Sequence, residues 1–304
     1  MKRLLRKAVE WASPLLYNRF FSGAREAVEW KGGKKCAVSV TFDVEYDRDA
    51  RALRKTIQLL NSYEVQGSFA CIGRLVEQFP KEHRLIADEG HEVVNHTFSH
   101  PNHDILNPRQ FFNKLSPQEM EFEIAEFEKT SKNILGVMPK GFRAPHFGDL
   151  NSAGAYEILE KRGYLYSSST VLTKTKSGGM PFTPSKKNFL SPGFGEEAFH
   201  IVELPVMTCP NHYYSVFDSF HSFHTSPPAH SAPEFFELFQ KSVLTSIQYN
   251  IPAVFYLDPF DIVEKKEFEA CLEFLSQKKG DVWIAKSEDI AKFPISKQQM
   301  QERS

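Results

Sequence analysis

The chain has 304 residues, of which 37 are Lys or Arg and 38 are Asp or Glu, giving a formal net charge of −1, with 41% hydrophobic and 25% charged residues. This balance excludes the basic field that draws a protein to nucleic acid, while the length suffices to bury one large α/β core or two smaller ones. Four cysteines (Cys36, Cys71, Cys209 and Cys271) lie far apart with no CxxC pair, which argues against a disulfide framework or a thiolate zinc site and fits a reducing, cytoplasmic setting.

Residues 1–21, MKRLLRKAVEWASPLLYNRFF, begin with basic residues as a signal peptide does. Glu10 and Pro14 interrupt the apolar run and no small-residue cleavage site follows, so export is not expected. Leu4, Leu5, Val9, Trp11, Leu15 and Leu16 can form one helical face against Lys2, Arg3, Arg6 and Lys7. Such a helix either packs on the domain or makes peripheral contact with the inner face of the cell membrane. Pro14 weighs against a long membrane-lying face. No run approaches the ~20 apolar residues of a membrane span. Residues 1–30 are read as an amphipathic extension, 31–295 as one domain without linker or repeat, and 296–304 as a polar tail.

Cys36 to Phe42 (CAVSVTF) is a buried-strand pattern that runs into Asp43, Val44 and Glu45, a place where α/β enzymes put their chemistry. A helix over 49–63 with Asp49 as N-cap, a strand over 67–72, a helix over 81–89 and a short strand over 92–95 follow. Ser116 with Glu119 opens a long helix to Gly136. A short strand ends at Arg143, Asn151 caps a helix to Arg162, and 164–168 is a strand. Residues 174–197 read as a long surface excursion, 199–207 as a strand and 212–230 as loop. A helix over 231–250, a strand over 251–257, a helix over 265–279, a strand over 282–285 and a helix capped by Ser287 complete the chain. The repeating β-α order implies parallel strands with right-handed crossovers, which delivers Asp43, Glu45, His96 and His100 to one rim.

His96 and His100 stand four residues apart in GHEVVNHTFSHPNHD, residues 90–104. On one helical turn both imidazoles would point at one ion, although His pairs at this spacing also occur on ordinary solvated helices. Asp43 and Glu45, two apart on an extended segment, point to one side.

Taken together, TFDVE at 41–45, NHTFSHPNH at 95–103 and FRAPHF at 142–147 resemble the first three motifs of the polysaccharide deacetylase family, also called carbohydrate esterase family 4 or the NodB-homology domain. The resemblance covers roughly residues 36–290. It implies an α/β fold, a distorted (β/α) barrel of about seven parallel strands, and hydrolysis of an N-acetyl group on a sugar assisted by one divalent metal ion, zinc for this donor set. By the same resemblance Asp43 is the catalytic base and His96 and His100 are metal ligands. The metal carboxylate is Glu45, as in a subgroup with an Asp-x-Glu pattern, since Val44 occupies the commoner position. Arg143 orients the base, the His146 N–H is an oxyanion donor, and Glu203 tethers the arginine. The family commonly carries a histidine as general acid near the last strands; here FYLDPFD places Asp258 there, and an unperturbed Asp with pKa near 3.9 holds no proton at neutral pH. His91, His103, His212, His221 and His224 are read as plain loop residues. The expected activity is therefore metal-dependent deacetylation of an N-acetylated carbohydrate, serving synthesis of a cell-surface polysaccharide. The alternatives are hydrolysis of another C–N amide and a non-catalytic sugar-binding or scaffold protein on the same fold, which Asp258 motivates.

Overall fold

β1, spanning Cys36–Val44, is buried along all nine residues, as its unbroken apolar run requires of a strand covered on both faces. The computed structural model describes residues 2–21, 28–148, 151–224 and 231–293. In chain order the further strands are β2 (Ser68–Cys71), β3 (Glu92–Asn95), β4 (Gly141–Phe142), β5 (Tyr166–Ser167), β6 (Val202–Glu203), β7 (Thr208–Cys209), β8 (His212–Val216), β9 (Ala253–Leu257) and β10 (Val282–Ile284). β9 pairs with β1 along 38–42. β2 pairs with it at 41–44 and β10 at 36–38, and because each shares residues of β1 with β9, both lie on the opposite edge. The sheet continues in parallel from β2 through β3, β4 and β5 to β6. Beyond β6 the chain turns back toward β9, where the Met207 N–H donates to the Val254 carbonyl at 2.8 Å. The sheet thus curls into the expected distorted (β/α) barrel. β7 and β8 form a separate antiparallel hairpin.

Helices flank the sheet, and their ends show where local sequence rules hold. Ser116 with Glu119 and Ser231 with Glu234 form capping boxes, and Gly136 and Asn250 close the same two helices in the left-handed conformation. Three expected caps shift. The first barrel helix is Asp47–Ser62, and Asp49 sits inside it, its Oδ2 accepting the Tyr46 N–H at 3.0 Å. Ser152 rather than Asn151 caps Ala153–Lys161, and Lys286 rather than Ser287 precedes the last helix. The polar side chains of Asp49 and Asn151 still accept a backbone N–H near the helix start, three positions after and one position before the residue that caps, while the Ser287 hydroxyl pairs with Ser39 Oγ.

The long middle segment departs further from expectation. Residues 174–197 are not a surface excursion, since Met180 and Phe182 are buried and Phe182 bridges to Glu203. Of 199–207 only Val202–Glu203 is strand. The 212–230 stretch supplies strand β8 and a short helix, Phe220–Phe223, while 225–230 lies outside the described residues. Aromatic and apolar packing, which has no simple period in such a segment, decides its course.

The N-terminal helix spans Lys2–Phe21. Its second half docks on the barrel: Tyr17 and Phe21 are fully buried, Phe21 stacks on Tyr249 with centroids 5.6 Å apart, and the Tyr17 hydroxyl lies 3.7 Å from Met207 Sδ. The basic side chains of its first half lie outside the described residues. Among the described residues no helix is long and apolar enough to cross a membrane. Burial of a Phe in such a contact is worth about 3–5 kcal/mol on truncation. Phe21→Ala should therefore lower unfolding stability by that amount in a denaturant titration, and a loss under about 1 kcal/mol would show that the helix does not dock as described.

Candidate active site

β1 sets the alternation. Thr41 and Asp43 face the same way two residues apart, and Glu45 follows just past the strand end. Asp43 is almost wholly buried, and its Oδ1 accepts from the Arg143 guanidinium at 2.6 Å. The same guanidinium donates to Thr41 Oγ1 at 2.8 Å and to the carbonyl and hydroxyl of Ser168, both at 3.0 Å. Arg143 is thereby fixed by β1 and by the chain leaving β5. Glu203 does not hold it. Its carboxylate accepts from the Ser169 N–H, the Thr170 hydroxyl and the Tyr156 hydroxyl, so it anchors the segment that presents Ser168 and acts on Arg143 only through it.

The histidine loop follows β3. His96 and His100 do not lie on a helical turn; Thr97, His100 and Asn102 have φ of 67°, 54° and 79°. A β-branched residue in this region is strained, a cost sustained by surrounding bonds. Those bonds are several: Asn95 Oδ1 accepts the Thr97 N–H, and Thr97 Oγ1 accepts the His100 N–H. Glu123 takes both the N–H and hydroxyl of Ser99 at 2.7 and 2.6 Å. On the other side, Gly73 and Arg74 donate backbone N–H groups to the Thr97 and Phe98 carbonyls, and a Cβ on Gly73 would stand 2.6 Å from the Phe98 ring.

The result is convergence. His96 Nδ1 donates to the Arg143 carbonyl at 2.8 Å, leaving Nε2 directed at Glu45 Oε1, 3.1 Å away. His100 Nε2 lies 3.2 Å from the same oxygen. One donor atom from each of Glu45, His96 and His100 falls within 4.8 Å of the others. Neither ring nitrogen of His100 makes a hydrogen bond, nor does Asp43 Oδ2, though all three atoms are buried. The unpartnered nitrogens of His100, beside a donor set of two imidazoles and the Glu45 carboxylate, fit a borderline divalent ion with an open position.

The electrostatics agree with that fit. Burial pushes the His100 imidazole down to about 4, so it is neutral and ready to ligate at neutral pH. Burial also acts to lower His96, but Asp43 and Glu45 outweigh it and its pKa rises. Burial opposes ionisation of Glu45, yet His100 and His96 beside it hold the carboxyl well below its usual range. Asp43 is raised by burial against the pull of Arg143 and His96. A proton and a dication therefore compete for His96.

His103 is not a plain loop residue. Its Nδ1 accepts the Ile105 and Leu106 N–H groups, which leaves Nε2 to donate to the Glu45 carbonyl at 2.9 Å and so fix the carboxylate's backbone. His91 is likewise buried, accepting the Gly67 N–H, and His212 lies on β8. The side chain of His221 lies outside the described residues. His146 adopts φ 47° and its ring meets that of His100 edge-on at 5.1 Å; its N–H donates to no described residue.

Asp258 ends β9 and is 8% exposed. Its N–H donates to Ser219 Oγ at 2.8 Å, and the same hydroxyl lies 3.2 Å from Asp258 Oδ2. Burial first, then the charges of Asp49, Glu45, Asp261 and Asp43, raise its pKa well above the ordinary carboxyl value. Asp43, Glu45, His146, Tyr256 and Asp258 line one cleft of about 580 Å³ with Tyr214 at its hairpin wall, a volume suited to a small organic ligand. The sequence reading gives no part at the site to Thr41, Ser168, Glu123 or His103, the last read as a plain loop residue. Of these only Thr41 leaves a signal, the two-residue alternation with Asp43.

Residues 31–166 match the family model described as polysaccharide deacetylase. The chain is 31% identical over 112 residues to a peptidoglycan-N-acetylglucosamine deacetylase of Bacillus cereus, covering 37% of each protein. It is 31% identical over 90 residues to a chitooligosaccharide deacetylase of Azorhizobium caulinodans, covering 29% of this chain and 39% of that one. The chain thus matches less than two fifths of the length of either curated relative. Among solved structures, a family 4 carbohydrate esterase from Streptomyces lividans superposes with a TM-score of 0.54 at 14% identity, over 86% of this chain and 98% of that one. PuuE allantoinase does so with 0.65 at 14% identity, over 89% and 93%. These two likenesses concern the fold. The chain therefore resembles the polysaccharide deacetylase family through residues 31–166, a match to less than half of its length.

His96→Ala or His100→Ala should abolish binding of a divalent transition ion, and Glu45→Ala should weaken it far more than Asp43→Asn, as read by metal analysis of purified protein; the reverse order would overturn the assignment of ligand and base. Because the raised His96 must shed its proton to ligate while His100 is already neutral, affinity should rise with pH through the His96 titration, with about one proton released per ion. Calorimetry in buffers of different ionisation enthalpy reads that number, and release of none would contradict the protonation scheme.

Proposed function

We propose that the protein is a divalent-metal-dependent hydrolase that removes the N-acetyl group from a sugar in a polysaccharide or its precursor, in the synthesis of a cell-surface polymer. The observation that carries this reading is the buried triad of Glu45, His96 and His100 beside Asp43, one of whose oxygens is taken by Arg143 while the other makes no hydrogen bond and lies 3.6 Å from His96 Nε2. The names of the Bacillus cereus and Azorhizobium caulinodans relatives support an acetylated amino-sugar substrate.

Glu45 Oε1, His96 Nε2 and His100 Nε2 are the atoms that would hold the ion, zinc by this donor set. When bound, the ion supplies Lewis acidity to an acyl oxygen and acidifies water. Asp43 Oδ2, the only carboxylate oxygen that Arg143 leaves open, accepts the proton of the attacking water. The His146 N–H is available to the oxyanion, a contact worth about 10²–10³ in rate where one donor of this type has been removed. Asp258 answers the want of a histidine acid. Its pKa, raised well above the ordinary carboxyl value by burial and the neighbouring acids, favours the protonated form, which can pass its proton to the departing nitrogen.

Purified protein should release acetate from at least one member of a panel of N-acetylated sugars, stop on chelation and recover with zinc. Asp43→Asn and Asp258→Asn should each retain metal, and Asp258→Asn should lose about 10²–10⁴ in turnover. A parent that binds an acetylated sugar but never releases acetate would favour the non-catalytic reading, which the replacement of the family's usual histidine by Asp258 keeps in view. Release of acetate unaffected by chelation would contradict the metal's part.

A further inference from the structure

A second cleft, of about 460 Å³, is lined by Arg48, Phe223, His224, Phe260, Asp261 and Lys265 among others, and shares only Arg48 with the lining of the first. The two clefts meet across a short polar partition. Asp258 faces the first, and its Oδ2 is 3.2 Å from Ser219 Oγ. That hydroxyl is 3.5 Å from Asp261 Oδ2, and Asp261 Oδ1 lies 2.6 Å from His224 Nδ1 as an ion pair whose angle is not that of a hydrogen bond, so a small turn of the imidazole is needed to pass the proton. Ser219 is fully buried, the Asp261 side chain is 1% exposed and that of His224 is 28% exposed, so the row runs from the active-site cleft to solvent.

We propose that His224, Asp261 and Ser219 form a proton path that recharges Asp258 from the second cleft while substrate fills the first. The proposal rests on the deacetylase reading. As the C–N bond breaks, the bonding pair goes to nitrogen and Asp258 supplies its proton, becoming a carboxylate. His224 Nδ1 then gives its proton to the Asp261 carboxylate as Asp261 passes one to the Ser219 oxygen and the serine hydroxyl passes its own to Asp258, so that each relay group gains one proton as it gives one up. Water in the second cleft restores the histidine, so one solvent proton is consumed per amine released and no group is changed at the end of the cycle. The hydroxyl suits the central position because it accepts one proton while donating another. His224 and Asp261 touch no substrate in this scheme; they act through Asp258 and are positioning residues.

The charges around the row favour one arrangement of its protons. Asp43 and Glu45 at β1, Asp49 and Arg48 on the helix Asp47–Ser62, Tyr256 on β9 and Asp218 beside Ser219 all face this region. Asp261 is raised by burial, but His224 and Arg48 pull it down, and a hydrogen bond from Asp258 does so too. Asp258 is raised without a cation beside it. Two carboxyls so placed share one proton, and the unequal surroundings leave it on Asp258.

His224→Gln tests the path, with Ser219→Ala as the break further in. At saturating substrate in weak buffer, kcat of His224→Gln should fall at least about tenfold with KM, metal content and thermal midpoint unchanged. Added imidazole should restore it in proportion to concentration, since the small base reaches the second cleft. Ser219→Ala should lose turnover that imidazole does not restore. If the parent releases acetate and His224→Gln does so equally fast, or loses turnover that imidazole cannot restore, the path is refuted while the deacetylase reading stands. If the parent releases no acetate from any acetylated sugar, that reading fails and the path falls with it.

Discussion

The contact on which the rest of the site depends is the pair Arg143–Asp43. The guanidinium donates to the Asp43 carboxylate and the Thr41 hydroxyl on β1, to the backbone and hydroxyl of Ser168 after β5, and its own carbonyl takes the Nδ1 proton of His96. One residue thus sets the rotamer of Asp43, the spacing of three parts of the barrel rim and the tautomer of His96. A charge so deeply placed is tolerated because its donors are matched; breaking such a buried pair by removing one partner typically costs about 3–5 kcal/mol. The pairing also divides Asp43 in two, one oxygen structural and the other chemical.

Around this pair the molecule holds a strained loop under tension from both sides. Three residues between Thr97 and Asn102 take left-handed backbone angles, held by Asn95, Glu123 and the N–H groups that open the helix Gly73–Gln78. What this arrangement secures is the approach of His100 to Glu45 in the open site, with His103 fixing the Glu45 backbone from below. Rigid support of this kind fixes the Glu45, His96 and His100 donor atoms relative to one another.

Much of this was legible in the chain itself. The continuous apolar run of β1, the alternation Asp43–Glu45 and the order of strands and helices led to a parallel barrel with its acids and histidines on one rim, and three motifs in sequence led to the family. The reason given for the His96–His100 convergence was wrong in its geometry, since the four-residue spacing is spanned by a left-handed loop rather than a helical turn. Glu203 was placed correctly near the arginine's support but one link too close. His103 and Glu123 left no trace because a hydrogen bond from a loop side chain to a distant backbone group has no period and no fixed spacing. The segment 174–224 was equally opaque: its burial comes from packing of scattered aromatic residues, and with it came the unforeseen meeting of Ser219 with Asp258.

The central claim is that Glu45, His96 and His100 together hold one catalytic ion, with Asp43 standing free as base. Anomalous diffraction at the zinc edge from crystals grown with zinc tests it most directly. The account predicts one strong peak per chain, within about 2.0–2.2 Å of a Glu45 carboxylate oxygen and an imidazole nitrogen of each histidine. A peak that takes Asp43 as a ligand in place of Glu45, or no peak at this site in crystals soaked to saturation, would contradict it.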